Sequence, residues 1–66
     1  MGVHKVSEGC EGGDCPAVYV SDRGTVVFQG DAVPVAEGLR LGEGEQAVEL
    51  PLDVLKSALP ALLGRL

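Results

Sequence analysis

The apolar residues of this chain fall into two kinds of spacing, one suited to strands and one to a helix. Ala17-Val18-Tyr19-Val20-Ser21 and Thr25-Val26-Val27-Phe28-Gln29 are runs rich in β-branched and aromatic residues, the types that fit a pleated, half-buried surface. Asp22-Arg23-Gly24 separates them. A three-residue connection ending in glycine suits a type I turn closed by a left-handed residue, because Gly24 takes positive φ without a Cβ clash. The spacing predicts a hairpin over residues 17–29. Its register sets Val18 opposite Phe28 and Val20 opposite Val26 on a purely apolar face, the expected core face. Tyr19 opposite Val27 and Ser21 opposite Thr25 form a mixed face.

Beyond the hairpin, Gly30-Asp31 and Pro34 punctuate the chain, and Val35, Leu39 and Leu41 alternate loosely. This reads as an irregular crossing with a short strand near Leu39 to Leu41. Gly42-Glu43-Gly44-Glu45 is a polar turn, after which Ala47-Val48-Glu49-Leu50 alternates and predicts a strand near 46–50 added to the same sheet. Pro51 cannot continue a paired strand but fits the first turn of a helix. Leu52, Leu55 and Leu59 then recur at helical spacing with Val54 and Ala58 alongside, and Asp53 lies near the positive end of the helix dipole. Pro60 lacks the amide that would bond the Lys56 carbonyl, so the helix is expected over about 51–59, with a stop or kink at Pro60 and a further turn over 61–63. The fold class that follows is α+β: a small antiparallel sheet of three to four strands with one C-terminal helix laid across it.

Residues 1–15 carry no such pattern. Apart from Val3 and Val6 they are polar and glycine-rich, which reads as a flexible N-terminal segment ahead of a single small domain over 16–66. Composition tightens this picture. The whole chain has 66 residues, 45% hydrophobic but only 3% aromatic, so its core must be aliphatic and thin. Such a chain has little interior from which to build a catalytic pocket and its supporting shell, and no enzyme is expected. The net charge of −5, with five scattered Lys and Arg, argues against a direct nucleic-acid surface. No apolar run near the N-terminus has the length of a secretory leader, and none approaches the roughly twenty residues that span a bilayer. A cytoplasmic protein without membrane contact is the expectation.

Candidate chemistry is sparse, and no cofactor is expected. His4, Cys10 and Cys15 are the residues a metal would use, but structural zinc takes four N or S ligands in two close pairs, and here there is one pair with a lone imidazole. Glu8, Glu11 or Asp14 could add an oxygen ligand. A Cys10–Cys15 disulfide is geometrically open because Gly12 and Gly13 let the loop fold back. In a reducing compartment the plainer reading is two free thiols, with Cys15 packing as a small apolar residue where the sheet begins. Glu37, Glu43, Glu45 and Glu49 do not have the spacing of a calcium loop and read as solvated surface.

Apolar surface carries more functional content. Leu52, Val54, Leu55, Leu59, Leu62, Leu63 and Leu66 spread around more than one helix face. They either complete the protein's own thin core or are covered by a partner. The candidate interaction surface is Leu55, Leu59, Leu62, Leu63 and Leu66, and a homodimer is one way to hide these leucines.

The stretch from Cys15-Pro16-Ala17-Val18-Tyr19-Val20 through Ser21-Asp22-Arg23-Gly24-Thr25-Val26-Val27-Phe28-Gln29-Gly30, with Ala47-Val48-Glu49-Leu50-Pro51 later, resembles short actinobacterial proteins. It is also similar to a domain of unknown function often encoded beside helix-turn-helix regulators. In that domain a Cys precedes a Val-rich hairpin and a short C-terminal helix follows. Leu55 and Leu59 stand where its helix usually carries an aromatic residue. The resemblance implies a small regulatory accessory that contacts a helix-turn-helix regulator without touching DNA, and it brings no catalytic residue.

Overall fold

The computed structural model of the protein describes residues 1–9 and 15–66. Among the described residues five short strands precede one helix: β1 (Val3–Lys5), β2 (Ala17–Ser21), β3 (Val26–Gln29), β4 (Asp31–Ala32), β5 (Val48–Glu49) and α1 (Leu52–Leu63). The expected α+β class with an antiparallel sheet and a C-terminal helix is what the chain forms.

The hairpin has the register that its side chains dictate. Val18 pairs with Phe28, Tyr19 with Val27 and Val20 with Val26. Gly24 closes the turn at φ +76°. The Ser21 N–H donates to the Thr25 carbonyl across the turn at 2.9 Å. The Ser21 hydroxyl reinforces the same turn, accepting from the Arg23 and Thr25 amides and pairing with the Thr25 hydroxyl.

The third strand comes from the segment that reads as a flexible tail. Val3, His4 and Lys5 pair antiparallel with Ser21, Val20 and Tyr19, giving sheet order β1-β2-β3. Three residues are too few to show a period of two, so pairing and not propensity makes this strand. The chain then turns onto the sheet. Ser7 is buried, its hydroxyl accepts the Val18 N–H at 3.0 Å, and the Val18 carbonyl accepts from the Val6 and Ser7 amides. A serine at this spot satisfies a backbone donor that would otherwise be desolvated without a partner.

Three further expectations are corrected. The strand predicted near 46–50 exists as β5, but it pairs with β4, Asp31 with Glu49 and Ala32 with Val48, in a separate two-stranded sheet. Gly30 marks the break: a Cβ there would overlap the Glu49 carbonyl oxygen, so glycine lets β5 cross against the end of the hairpin. Residues 39–41 form no strand. They belong to a connection folded by two turns, Leu39 N–H to the Ala36 carbonyl and Glu45 N–H to the Gly42 carbonyl, and closed by Val33 N–H on the Ala47 carbonyl.

The helix, finally, runs through Pro60 to Leu63 instead of stopping at residue 59. Lys56 and Pro60 both lie on the exposed side, where water can take the carbonyl that proline leaves unbonded. Pro51 is the N-cap residue, extended at φ −61° and ψ 146°, and Asp53 occupies the first turn. At the other end the Gly64 N–H bonds the Pro60 carbonyl, and the Arg65 and Leu66 amides bond the Leu62 and Leu63 carbonyls. The chain thus keeps winding to its last residue.

The core is where α1 crosses β2. Val18 and Ala58 are wholly buried there, with Val54, Leu55, Ala61 and Leu62 half-buried on the same helix side. The Ser57 hydroxyl accepts the Glu8 N–H at 2.9 Å and donates to the Val54 carbonyl at 2.7 Å, tying the segment after β1 to the helix.

Candidate functional site

A helix is about 10 Å wide and strands are spaced by about 4.8 Å, so one helix covers two strands of a three-stranded sheet and leaves part of the third. In this protein α1 lies over β2, and both flanking strands are left short of cover: His4 is exposed in β1 opposite Val20, and β3 is the flanking strand with large apolar residues on that face. Val26 and Phe28 share the face of Val18 yet remain 43% and 45% exposed, whereas Val18 is at 0%. The expectation that all four residues of this face are core therefore holds for Val18, holds in part for the half-buried Val20, and fails for β3.

Two clefts open along that uncovered margin. One, of about 500 Å³, is lined by Val20, Gly24, Val26, Leu62, Arg65 and Leu66. The other, of about 310 Å³, is lined by Phe28, Val48, Leu50, Leu52 and Leu55, with Glu49 at its edge. The helix side of both is made by leucines at positions 52, 55, 62 and 66. With Leu59 between them these form a stripe at alternating spacings of three and four, the pattern that keeps a row of side chains along one flank of a helix.

The leucines singled out from sequence divide accordingly. Leu55 and Leu62 are half-buried and face the sheet margin, Leu59 is 40% exposed at the middle of the stripe, and Leu66 is 98% exposed at its end. Leu63, 63% exposed, lies one turn beyond Leu59 at the outer edge of the stripe. Val26 and Phe28, expected on the core face, are surface residues, and Val48 and Leu52, outside the candidate surface, belong to it. The signal that could have found them is the width argument above, since a hairpin face with a third strand exceeds the reach of a single helix.

His4 sits exposed in β1 opposite Val20. Cys15 is disulfide-bonded, which corrects the expectation of a free thiol at that position. That expectation rested on the redox state of a compartment and not on chain geometry. Cys10 lies outside the described residues. Among the described residues, no group of three or more His, Cys, Asp or Glu stands close enough to hold a metal ion. The Cys15 carbonyl accepts from Gln29 Nε2 at 3.0 Å, and Gln29 Oε1 accepts from the Tyr19 hydroxyl at 2.5 Å. This chain of bonds anchors the start of β2 to the end of β3.

Among the described residues no helix is long and apolar enough to cross a membrane. No family model matches the chain, and neither a curated protein nor a solved structure shows significant similarity to it.

Proposed function

We propose that this protein is a non-catalytic interaction module, a small regulatory accessory that works by taking a protein partner along the leucine flank of α1 and the uncovered margin of β3. The observation that supports it is the pair of apolar clefts in which Leu62 and Leu66 face Val26, and Leu52 and Leu55 face Phe28. Exposed large apolar residues scattered singly, as Val3, Val35, Leu39 and Leu41 are, need no explanation, but Val26, Phe28, Val48, Leu52, Leu59 and Leu66 share one margin. The class of partner implied by the resemblance is a helix-turn-helix regulator, and an acidic chain would reach it through protein contacts without binding DNA.

The test is recovery of a partner from extract of the native host on immobilised protein, compared with Leu59→Glu and Leu63→Glu. The reading expects one stoichiometric partner, lost with Leu59→Glu while the far-UV spectrum of the variant is preserved. Unchanged recovery with Leu59→Glu sinks the assigned surface. Leu63 lies one turn beyond Leu59 at the outer edge of the stripe, so Leu63→Glu is expected to reduce recovery in the same direction.

A further inference from the structure

We infer that the leucine stripe pairs first with its own counterpart: the protein is a two-fold homodimer in which two α1 helices lie antiparallel, Leu52, Leu55, Leu59, Leu62 and Leu66 of one copy against those of the other. This rests on the reading of that surface as an interaction site and names its first occupant.

Three observations carry it. The first is area. The chain exposes 5209 Å², against roughly 4000 Å² for a compact monomer of this mass by size scaling. The excess is larger than the ~800 Å² per partner of a standard interface. The Cα radius of gyration of 12.7 Å likewise exceeds the ~11 Å expected of a compact chain of this length. The surplus surface includes the β3 margin and the helix flank beside it.

The second is self-complementarity. A two-fold contact places the same patch on both copies, so a patch must fit its own rotated image. A leucine row at alternating spacings of three and four is such a patch: in antiparallel packing Leu55 of one helix sits beside Leu59 of the other, and Leu52 beside Leu62. Val26 and Phe28, standing beside the stripe, then gain the cover that a single helix cannot give them.

The third is charge. The stripe is acidic at one end, where Glu49 lines the same cleft as Leu52, and basic at the other, where Arg65 lines the same cleft as Leu66. An antiparallel pair sets each basic end beside the partner's acidic end, twice by symmetry, and sets the helix dipoles antiparallel. A parallel pair would set like against like. The net charge of −5 per copy opposes approach only at range, and salt screens it beyond about 10 Å.

The experiment is sedimentation equilibrium of the full chain from low micromolar to submillimolar concentration. The wild type is expected at twice 6.8 kDa. Leu59→Glu is expected to weaken association roughly a hundredfold, as a charge placed at the centre of an apolar contact does. Leu66→Glu gives the same direction from a residue outside the core, so loss of the dimer there cannot be loss of fold. Orientation is read from Glu49→Lys and Arg65→Glu. Each alone puts like charges at both ends of the antiparallel pair and weakens it severalfold. Mixing the two restores association, because both ends of the mixed dimer are then opposite in charge. A monomeric wild type at every concentration, or a dimer indifferent to Leu59→Glu and Leu66→Glu, overturns the inference. A mixture that associates no better than its components overturns the antiparallel arrangement. A monomer that still recovers a host protein through Leu59 refutes the dimer alone, whereas a dimer that recovers none supports it and refutes the wider partner reading.

Discussion

The two sides of this small protein are built to different standards. On one, β1, β2 and the inner face of α1 enclose Val18 and Ala58, and the buried Ser7 satisfies the Val18 amide. On the other, β3, β4, β5 and the connection over residues 33–47 hold no fully buried large side chain, and Val26, Phe28 and Val48 stay substantially exposed. Both sides draw on similar residue types, valines above all, so composition does not account for the difference. Position relative to one helix accounts for most of it: Val18 beneath α1 is enclosed and Val26 and Phe28 a strand's width away are surface, while Ala17 is buried on the opposite face of β2. In a chain this short, stability is concentrated in a few contacts, and the remaining apolar area is free to serve another molecule.

The sharpest way to break the comparison is to charge its buried side. Val18→Asp places a carboxylate at the most enclosed position of the chain with no cation beside it, at a cost of about 4 kcal/mol or more. The expected outcome is a protein without a cooperative thermal transition by circular dichroism. A folded Val18→Asp variant with an ordinary melting curve would mean that the core lies elsewhere. Ser7→Ala acts on the same side more gently. It removes the acceptor of a buried amide while changing little volume, and should cost about 1–3 kcal/mol. Urea unfolding reads it as a lower midpoint at unchanged slope, and no shift would show that water replaces the hydroxyl.

Gly30→Ala probes the seam between the two sides. The added Cβ meets the Glu49 carbonyl, so β5 must move away from the end of the hairpin, at about 1–2 kcal/mol. Because β4 and β5 form their own two-stranded sheet, the effect should be local. Amide exchange is expected to accelerate at Val33 and Glu49 and to stay slow at Val18 and Tyr19. Acceleration across β2 would show that the two sheets open together.

What could be read from the chain alone follows the same division. The hairpin, its register and its turn were legible because each rests on local signals that agree: β-branched residues on both arms and a glycine where positive φ is needed. The helix was legible in its start and its stripe, but its end was misplaced, because the cost of Pro60 depends on which side of the helix faces water and that is a tertiary fact. β1 was illegible for a related reason. Val3-His4-Lys5 has no strand character apart from the β2 edge it completes, and Ser7 looks like any loop serine until its partner amide is known. Of the candidate surface, the leucines were visible as a surplus, while Val26 and Phe28 were assigned to the core because the hairpin pattern tells which face is apolar and not how much of it a single helix can cover.

The smallest expected effect tests that last distinction. Phe28→Ala removes far more carbon than Val18→Ala, and in a uniformly packed core it would be the more damaging of the two. Here Val18 is fully enclosed, and losing its two methyl groups forfeits both their transfer free energy and the contacts around them, about 2 kcal/mol. Phe28 keeps nearly half its surface in water in the single chain, so its ring contributes only through the part that touches the helix margin, about 1 kcal/mol. The comparison has to be made where self-association adds nothing, so both substitutions belong in the Leu66→Glu background at low concentration, with chemical unfolding as the measurement. The ranking there should be Val18→Ala below Phe28→Ala in stability. In the chain with native Leu66, at concentrations where it associates, Phe28→Ala should cost more than in that background, because the ring then loses contacts on a second surface. An unchanged cost in the two settings would place Phe28 outside any interface, and a reversed ranking in the Leu66→Glu background would mean that α1 covers β3 as well as β2.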